Sequence, residues 1–230
     1  LNPIRDIARI IKPRGVLLLV DAAQSVPHGP VNVRDPEIDF LAFSGHKMYG
    51  PTGIGVLWGK GELLRKMDPF HCGGNMIRRV RKDSSDFADI PQKFEAGTLP
   101  IAEAIALGTA IDFIQSFDKA DIATHEHALT QHAYEQMSQI PGLHILGPGV
   151  EHRGPIISFT VDGVHPHDMA ELLDRRGVAV RAGHHCTMPL HDLLQINATT
   201  RASFALYNTS AEVDALVEAI HYARKVFRRE

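Results

Sequence analysis

The sequence predicts an α/β protein, with a mostly parallel α/β domain over residues 1–115 followed by a smaller α+β domain over 116–230. Three observations carry that reading. VLLLV at 16–20 and FLAF at 40–43 are short, uniformly apolar runs of the kind that form strands buried on both faces. They alternate with helical apolar spacing, as at Ile4, Ile7 and Ile10 or Ile11. Beyond Pro141-Gly142 the texture changes to shorter strands mixed with helices.

Taken in order, residues 3–12 read as a helix that Pro13-Arg14-Gly15 stops. VLLLVD is then a strand ending at Asp21, IDFLAFS (38–44) a second and GIGVLWG (53–59) a third. Residues 60–67 fit a short helix, and 68–100 read as loop, punctuated by CGGN and EAGTLP. From 101 to 138 the pattern is helical, with two helices meeting near Phe117-Asp118. Strands are expected at 155–161, 178–182 and 201–206, with helices at 166–176 and 210–228.

Composition narrows the function. A net charge of −3 and a pI near 6.6 leave no basic stripe, which argues against a nucleic-acid partner. The longest apolar run is far too short to cross a bilayer. Cys72 and Cys186 alone make no disulfide framework, and no signal-peptide pattern opens the chain, so a reducing cytoplasm is expected. The chain opens at Leu1 and reaches an internal-type strand at once, from which an N-terminal portion is expected upstream.

The chemistry concentrates at strand ends. Asp21 and Lys47 each follow an apolar strand, and in open α/β sheets the carboxyl ends of strands face the ligand crevice. Alone, Asp21 is equally a helix N-cap and Lys47 an ordinary surface lysine. Together they match what a pyridoxal phosphate site needs. A carboxylate keeps the pyridine nitrogen protonated, and a lysine, held still and partly dried, holds the aldehyde covalently. Ser44 and His46 on the same turn offer a hydroxyl and an imidazole to the phosphate. In RAGHHCTMPL, Cys186 after two histidines reads as a thiolate nucleophile tuned by nearby positive charge. The alternatives are an inert buried thiol, or a zinc ligand with His184, His185 and His191, which adjacent residues rarely form. Cys72 reads as a structural or incidental thiol, and His125, His127 and His132 as solvated helix residues.

As an ordered set, VDAAQSVPHGPVNV, DFLAFSGHKMYGPTGIGVLWG, FEAGTLP, VRAGHHCTMPL and RASFALYNT resemble the successive motifs of group II, SUF-type cysteine desulfurases. These are fold type I pyridoxal phosphate enzymes of the class V aminotransferase superfamily. The resemblance spans the chain and implies the C-terminal part of such an enzyme, with a homodimer whose sites are shared. It assigns Lys47 as the cofactor-bearing lysine, Asp21 to the pyridine nitrogen, Gln24 to the ring hydroxyl, and Ser44 and His46 to the phosphate. Thr98 matches a residue that reaches the partner subunit's phosphate, Cys186 the sulfur-accepting nucleophile, Arg201 the clamp on the substrate carboxylate, and Arg181 a second active-site arginine. No metal is implied. The implied substrate is L-cysteine, with L-selenocysteine as the rival, and a SUF-system acceptor protein would take the sulfur to iron–sulfur cluster assembly. The family's ring-stacking histidine, glycine-threonine phosphate turn and substrate-side asparagine have no counterpart here, so the isolated chain is expected to bind cofactor weakly and to be catalytically incomplete. CTMPL departs mildly from the usual CAQPL or CAMPL.

Overall fold

The computed structural model describes residues 1–29, 31–34 and 37–227. Pro30 of the VDAAQSVPHGPVNV motif and Arg228, the last residue of the expected final helix, lie outside the described residues. Two compact units divide the chain, one of Asn2–Lys119 and one of Ala120–Glu230, to which Leu1 also belongs.

In the first unit, α1 (Ile4–Ile11) carries Ile4, Ile7 and Ile11 on one stripe and ends through a 3-10 turn at Gly15, whose φ of 70° requires glycine-like freedom. Three strands follow: β1 (Leu19–Asp21), β2 (Phe40–Ser44) and β3 (Gly55–Gly59). Their order is β1-β2-β3, with β1 and β2 parallel and β3 antiparallel to β2. The isoleucine stripe of α1 packs with Leu18, Val20, Ala22, Leu41 and Phe43 on one face of this sheet.

The expectation of strands buried on both faces fails. Leu17 and Leu19 are 54% and 59% exposed, and Leu57 of β3 is 55% exposed, whereas Leu18 and Leu41 are buried. Alternation sends every second side chain to the opposite face, and helix α1 covers only one. The central strand β2 alone is well enclosed along its first half.

Asp39, which precedes β2, is 3% exposed and accepts the Leu18 amide at 2.7 Å. It pairs with Lys60 at 2.8 Å and with Lys12. Burial alone would raise its pKa, but the two ammonium groups and the amide outweigh that and hold it at about 2. β2 follows Asp39 and ends at Ser44, directly before Gly45–Lys47, so Asp39 anchors the start of the strand that leads to them.

Helices α2 (Gly61–Lys66) and α3 (Ile101–Gln115) fall where expected. The region read as loop contains a hairpin, β4 (Ile77–Val80) with β5 (Ser85–Phe87). Arg78 and Arg79 in β4 and Asp86 in β5 hide the apolar alternation that marks a strand, and the ion pair of Arg81 with Asp86 helps close it.

The second unit opens with α4 (Lys119–Ser138) and builds a four-stranded antiparallel sheet of β6 (Leu143–Ile145), β7 (Ile156–Val161), β8 (Arg181–Gly183) and β9 (Thr199–Ser203), in the order β6-β7-β9-β8. Helices α5 (Pro166–Asp174), α6 (Met188–Leu194) and α7 (Ser210–Phe227) complete it. Ile157, Phe159 and Val161 alternate inward from β7 onto Met137 of α4, Leu173 of α5 and Ile220 of α7. Each such side chain contributes about 1.5–3 kcal/mol on burial. β6 and α6 were not expected, being only three and seven residues long. β9 begins at Thr199, two residues before the expected start. Two of the helix histidines are not merely solvated: His125 Nε2 donates to the Asn208 carbonyl at 2.9 Å, and His132 Nε2 to Asp214 at 2.7 Å, tying α4 to α7. Among the described residues no helix is long and apolar enough to cross a membrane.

Candidate active site

Because β1 and β2 are parallel, both end at one edge of the first unit's sheet. Asp21, the last residue of β1, lies opposite Ala42, and Ser44 is two residues further along β2. That spacing puts Asp21 and Ser44 on the same face, the one away from α1, offset by roughly 7 Å along the strand direction. Asp21 Oδ1 accepts the Ala23 amide at 3.0 Å, an Asx-type turn rather than a helix cap. Gln24 is exposed in the same turn.

Beyond β2, Gly45–Lys47 form one 3-10 turn. The Gly45 amide donates to the Ile54 carbonyl at 2.9 Å, and the Gly45 carbonyl accepts from Met48 and Gly50 at 2.9 and 3.0 Å. A Cβ at residue 45 would meet Ile54 Cγ2 at 2.8 Å and the Ile54 carbonyl at 3.1 Å, so only glycine lets the turn close. Ser44 Oγ and His46 Nδ1 are 2.8 Å apart. Lys47 is held by this backbone clamp, but it is exposed rather than partly dried, because the turn stands clear of the α1 core. Thr98 is also exposed, following Gly97, whose amide donates to Gly74 at 2.9 Å.

The second unit holds the other candidates. Arg181 and Arg201 lie directly opposite one another in the antiparallel pairing of β8 with β9, and Arg201 faces Ser158 on its other side. Like charges so placed are unfavourable without an anion. Arg201 Nε is buried and has no hydrogen-bond partner among the described residues. Burial and the neighbouring Arg181 charge lower the Arg201 pKa, while charge on Cys186 works the other way. A carboxylate is what this pair lacks, and the planar guanidinium suits one.

Cys186 sits at the tip of a turn over His184–Thr187, closed by the Thr187 amide donating to the His184 carbonyl at 2.8 Å. Its central residues, His185 and Cys186, have φ of 51° and 65°. Two positive φ values are the signature of a type I′ turn, normally the province of asparagine and glycine. Each non-glycine residue held there costs on the order of 1 kcal/mol or more, and such strain clusters at functional sites. Cys186 is exposed, which excludes the buried-thiol alternative. His185 Nε2 donates to the Thr199 carbonyl at 3.2 Å, and burial together with Arg201 lowers its pKa. Among the described residues no three His, Cys, Asp or Glu side chains converge as metal ligands. Cys72 is exposed in the first unit. The resemblance singles out Arg181 and Arg201 but not their register; the sequence offers His191 only as a zinc ligand and gives no signal for Thr199, though both contact the turn.

The chain matches the family model described as aminotransferase class-V over residues 1–216. It is 50% identical over 227 residues to a probable cysteine desulfurase of Streptomyces coelicolor, covering 98% of this chain and 54% of that protein. Among solved structures, the cysteine desulfurase CsdA of Escherichia coli superposes with a TM-score of 0.91 at 40% identity, over 96% of this chain and 56% of that one. A cysteine desulfurase of Thermococcus onnurineus gives 0.92 at 38% identity, over 97% and 56%. The chain thus spans about half the length of the relatives it matches.

Proposed function

The chain belongs to the class-V aminotransferase family, and on that premise we propose that it forms part of a pyridoxal phosphate-dependent cysteine desulfurase of the SUF type. The observation that carries this reading is Cys186 raised on a strained turn near Arg201, which opposes Arg181 and whose buried Nε has no hydrogen-bond partner among the described residues. An aminotransferase needs the arginines but not the thiol.

The residues present fit the cofactor. Lys47 would hold it through Nζ, Asp21 would face the pyridine nitrogen and Gln24 the ring hydroxyl, and Ser44 and His46 would bind the phosphate. Thr98 would serve the partner subunit's phosphate in a homodimer. Pyridoxal phosphate, when bound, supplies an electron sink for charge developing at the substrate α-carbon. Arg201 and Arg181 hold the carboxylate of L-cysteine, and Lys47 moves the α-proton. The Cys186 thiolate attacks the substrate sulfur: the substrate C–S bond breaks, an S–S bond forms on Cys186, and the carbon skeleton leaves as alanine. The persulfide then passes to an acceptor protein for iron–sulfur cluster assembly.

The test is chemical mapping. After incubation with pyridoxal phosphate and borohydride reduction, the pyridoxyl mass is expected on the peptide bearing Lys47. With the chain completed by the segment its relatives carry beyond the half it spans, L-cysteine and cofactor are expected to add one sulfur atom to Cys186. A label on Lys60 or Lys93 overturns the cofactor site. A Cys186→Ala variant that still releases alanine from cysteine overturns the sulfur-transfer role.

A further inference from the structure

Thr199, 1% exposed at the start of β9, receives both imidazoles that flank the Cys186 turn. Its carbonyl accepts His185 Nε2–H at 3.2 Å, and its hydroxyl lies 3.2 Å from His191 Nε2. His191 is itself 5% exposed, and its Nδ1 stands 3.0 Å from the carbonyl of Thr187, the residue directly after Cys186. A carbonyl can only accept, so Nδ1 carries the proton, and Nε2 meets a hydroxyl able to donate or accept. The ring therefore bridges the end of the turn to β9. Thr199 and Arg201 share one face of β9, two residues apart.

We propose that His191 is a positioning residue for Cys186: it clamps the turn over His184–Thr187 to Thr199 and so fixes the thiol in register with Arg201 and Arg181. Backbone hydrogen bonds alone hold a type I′ turn loosely when neither central residue is asparagine or glycine. His185 supplies one tie to Thr199 and His191 the second, from the opposite end of the turn. Without the second tie, the strain at His185 and Cys186 is free to relax and carry the thiol away from the arginines. The proposal rests on the sulfur-transfer reading, but its test needs neither cofactor nor turnover.

The readout is the preference of Cys186 for anionic over neutral alkylation, measured as the ratio of iodoacetate to iodoacetamide rates by peptide-resolved mass spectrometry. Cys72, exposed in the other unit, serves as internal control. In the native chain the ratio at Cys186 is expected to exceed that at Cys72, because the arginine pair draws the carboxylate of the reagent. In His191→Leu it is expected to fall by roughly fivefold, the scale of a partly screened charge pair. His191→Asn, whose carboxamide nitrogen replaces Nδ1, is expected to restore most of it. A His191→Leu ratio equal to native, or an equal fall in His191→Leu and His191→Asn, overturns the proposal. If Arg201→Met collapses the ratio while His191→Leu does not, the positioning role fails and the arginine reading stands. A native ratio no higher than that of Cys72 overturns both. Should His191→Leu give no cooperative melt, Thr199→Val, which removes only the hydroxyl facing Nε2, replaces it under the same criteria.

Discussion

Replacing Asp39 with asparagine tests what anchors the lysine-bearing strand. The carboxylate is 3% exposed, pairs with Lys60 at 2.8 Å and with Lys12, and accepts the Leu18 amide at 2.7 Å. Its pKa is held at about 2 against an ordinary 3.8. A gap of nearly two units, at about 1.36 kcal/mol each, is worth about 2.5 kcal/mol. The Lys12 and Lys60 side chains are 20% and 35% exposed, which screens part of it and leaves about 2 kcal/mol. The folded-state pKa is depressed, so the stabilisation is present in full above the unfolded value and is lost as pH falls through about 2. Trp58, the single tryptophan, lies on β3 opposite Leu41 and reports this unit by fluorescence during urea unfolding. Asp39→Asn is expected to lose about 2 kcal/mol at pH 7, with the difference from the parent shrinking steadily between about pH 5 and pH 2. A variant of equal stability at pH 7, or a difference that does not shrink with acid, would refute the reasoning.

Three further outcomes are expected. Gly45→Ala places a methyl group 2.8 Å from Ile54 Cγ2 and 3.1 Å from the Ile54 carbonyl. It should cost about 1–3 kcal/mol and reduce borohydride trapping on Lys47, read by the same fluorescence melt and by peptide mapping. Arg181→Gln relieves a like-charge cross-strand pair and should raise the melting temperature of the second unit, by up to about 1 kcal/mol of stability, while weakening carboxylate binding. Cys186→Gly removes a side chain from φ 65° and should stabilise that unit by about 1 kcal/mol in calorimetry while abolishing sulfur transfer.

The fold was legible where one physical signal dominates. Helix α1 and the strands β1, β2 and β3 announce themselves by apolar period, and Pro141-Gly142 marks the turn before β6. The hairpin of β4 and β5 escaped because Arg78, Arg79 and Asp86 owe their strand conformation to pairing across the hairpin rather than to an apolar face. The burial of β1 was misread for a related reason. An apolar run fixes that both faces tolerate cover, yet Leu17 and Leu19 are exposed, on the face away from α1. Asp21, Ser44 and Lys47 were legible as a group because parallel strands bring their carboxyl ends to a single edge, a topological rule that needs no coordinates.

The Cys186 site shows the limit of that logic. Sequence supplies residue types, but four local conflicts in this region are visible only in the geometry. His185 and Cys186 occupy left-handed backbone, Arg181 and Arg201 oppose one another in register, Arg201 Nε is buried without a partner among the described residues, and burial together with the same arginine lowers the His185 pKa. Each conflict is unfavourable alone, and all lie between residues 181 and 201. Departures from local consistency concentrated in so short a span are what a functional site produces. One change eases three of them together: an anionic group bound against the arginines neutralises the opposed charges, occupies the free Nε, and lessens the part of the His185 shift that comes from Arg201. Only the backbone strain at Cys186 is left unrelieved. That remaining strain is held by the hydrogen bonds that close the turn, which keep Cys186 exposed at its tip.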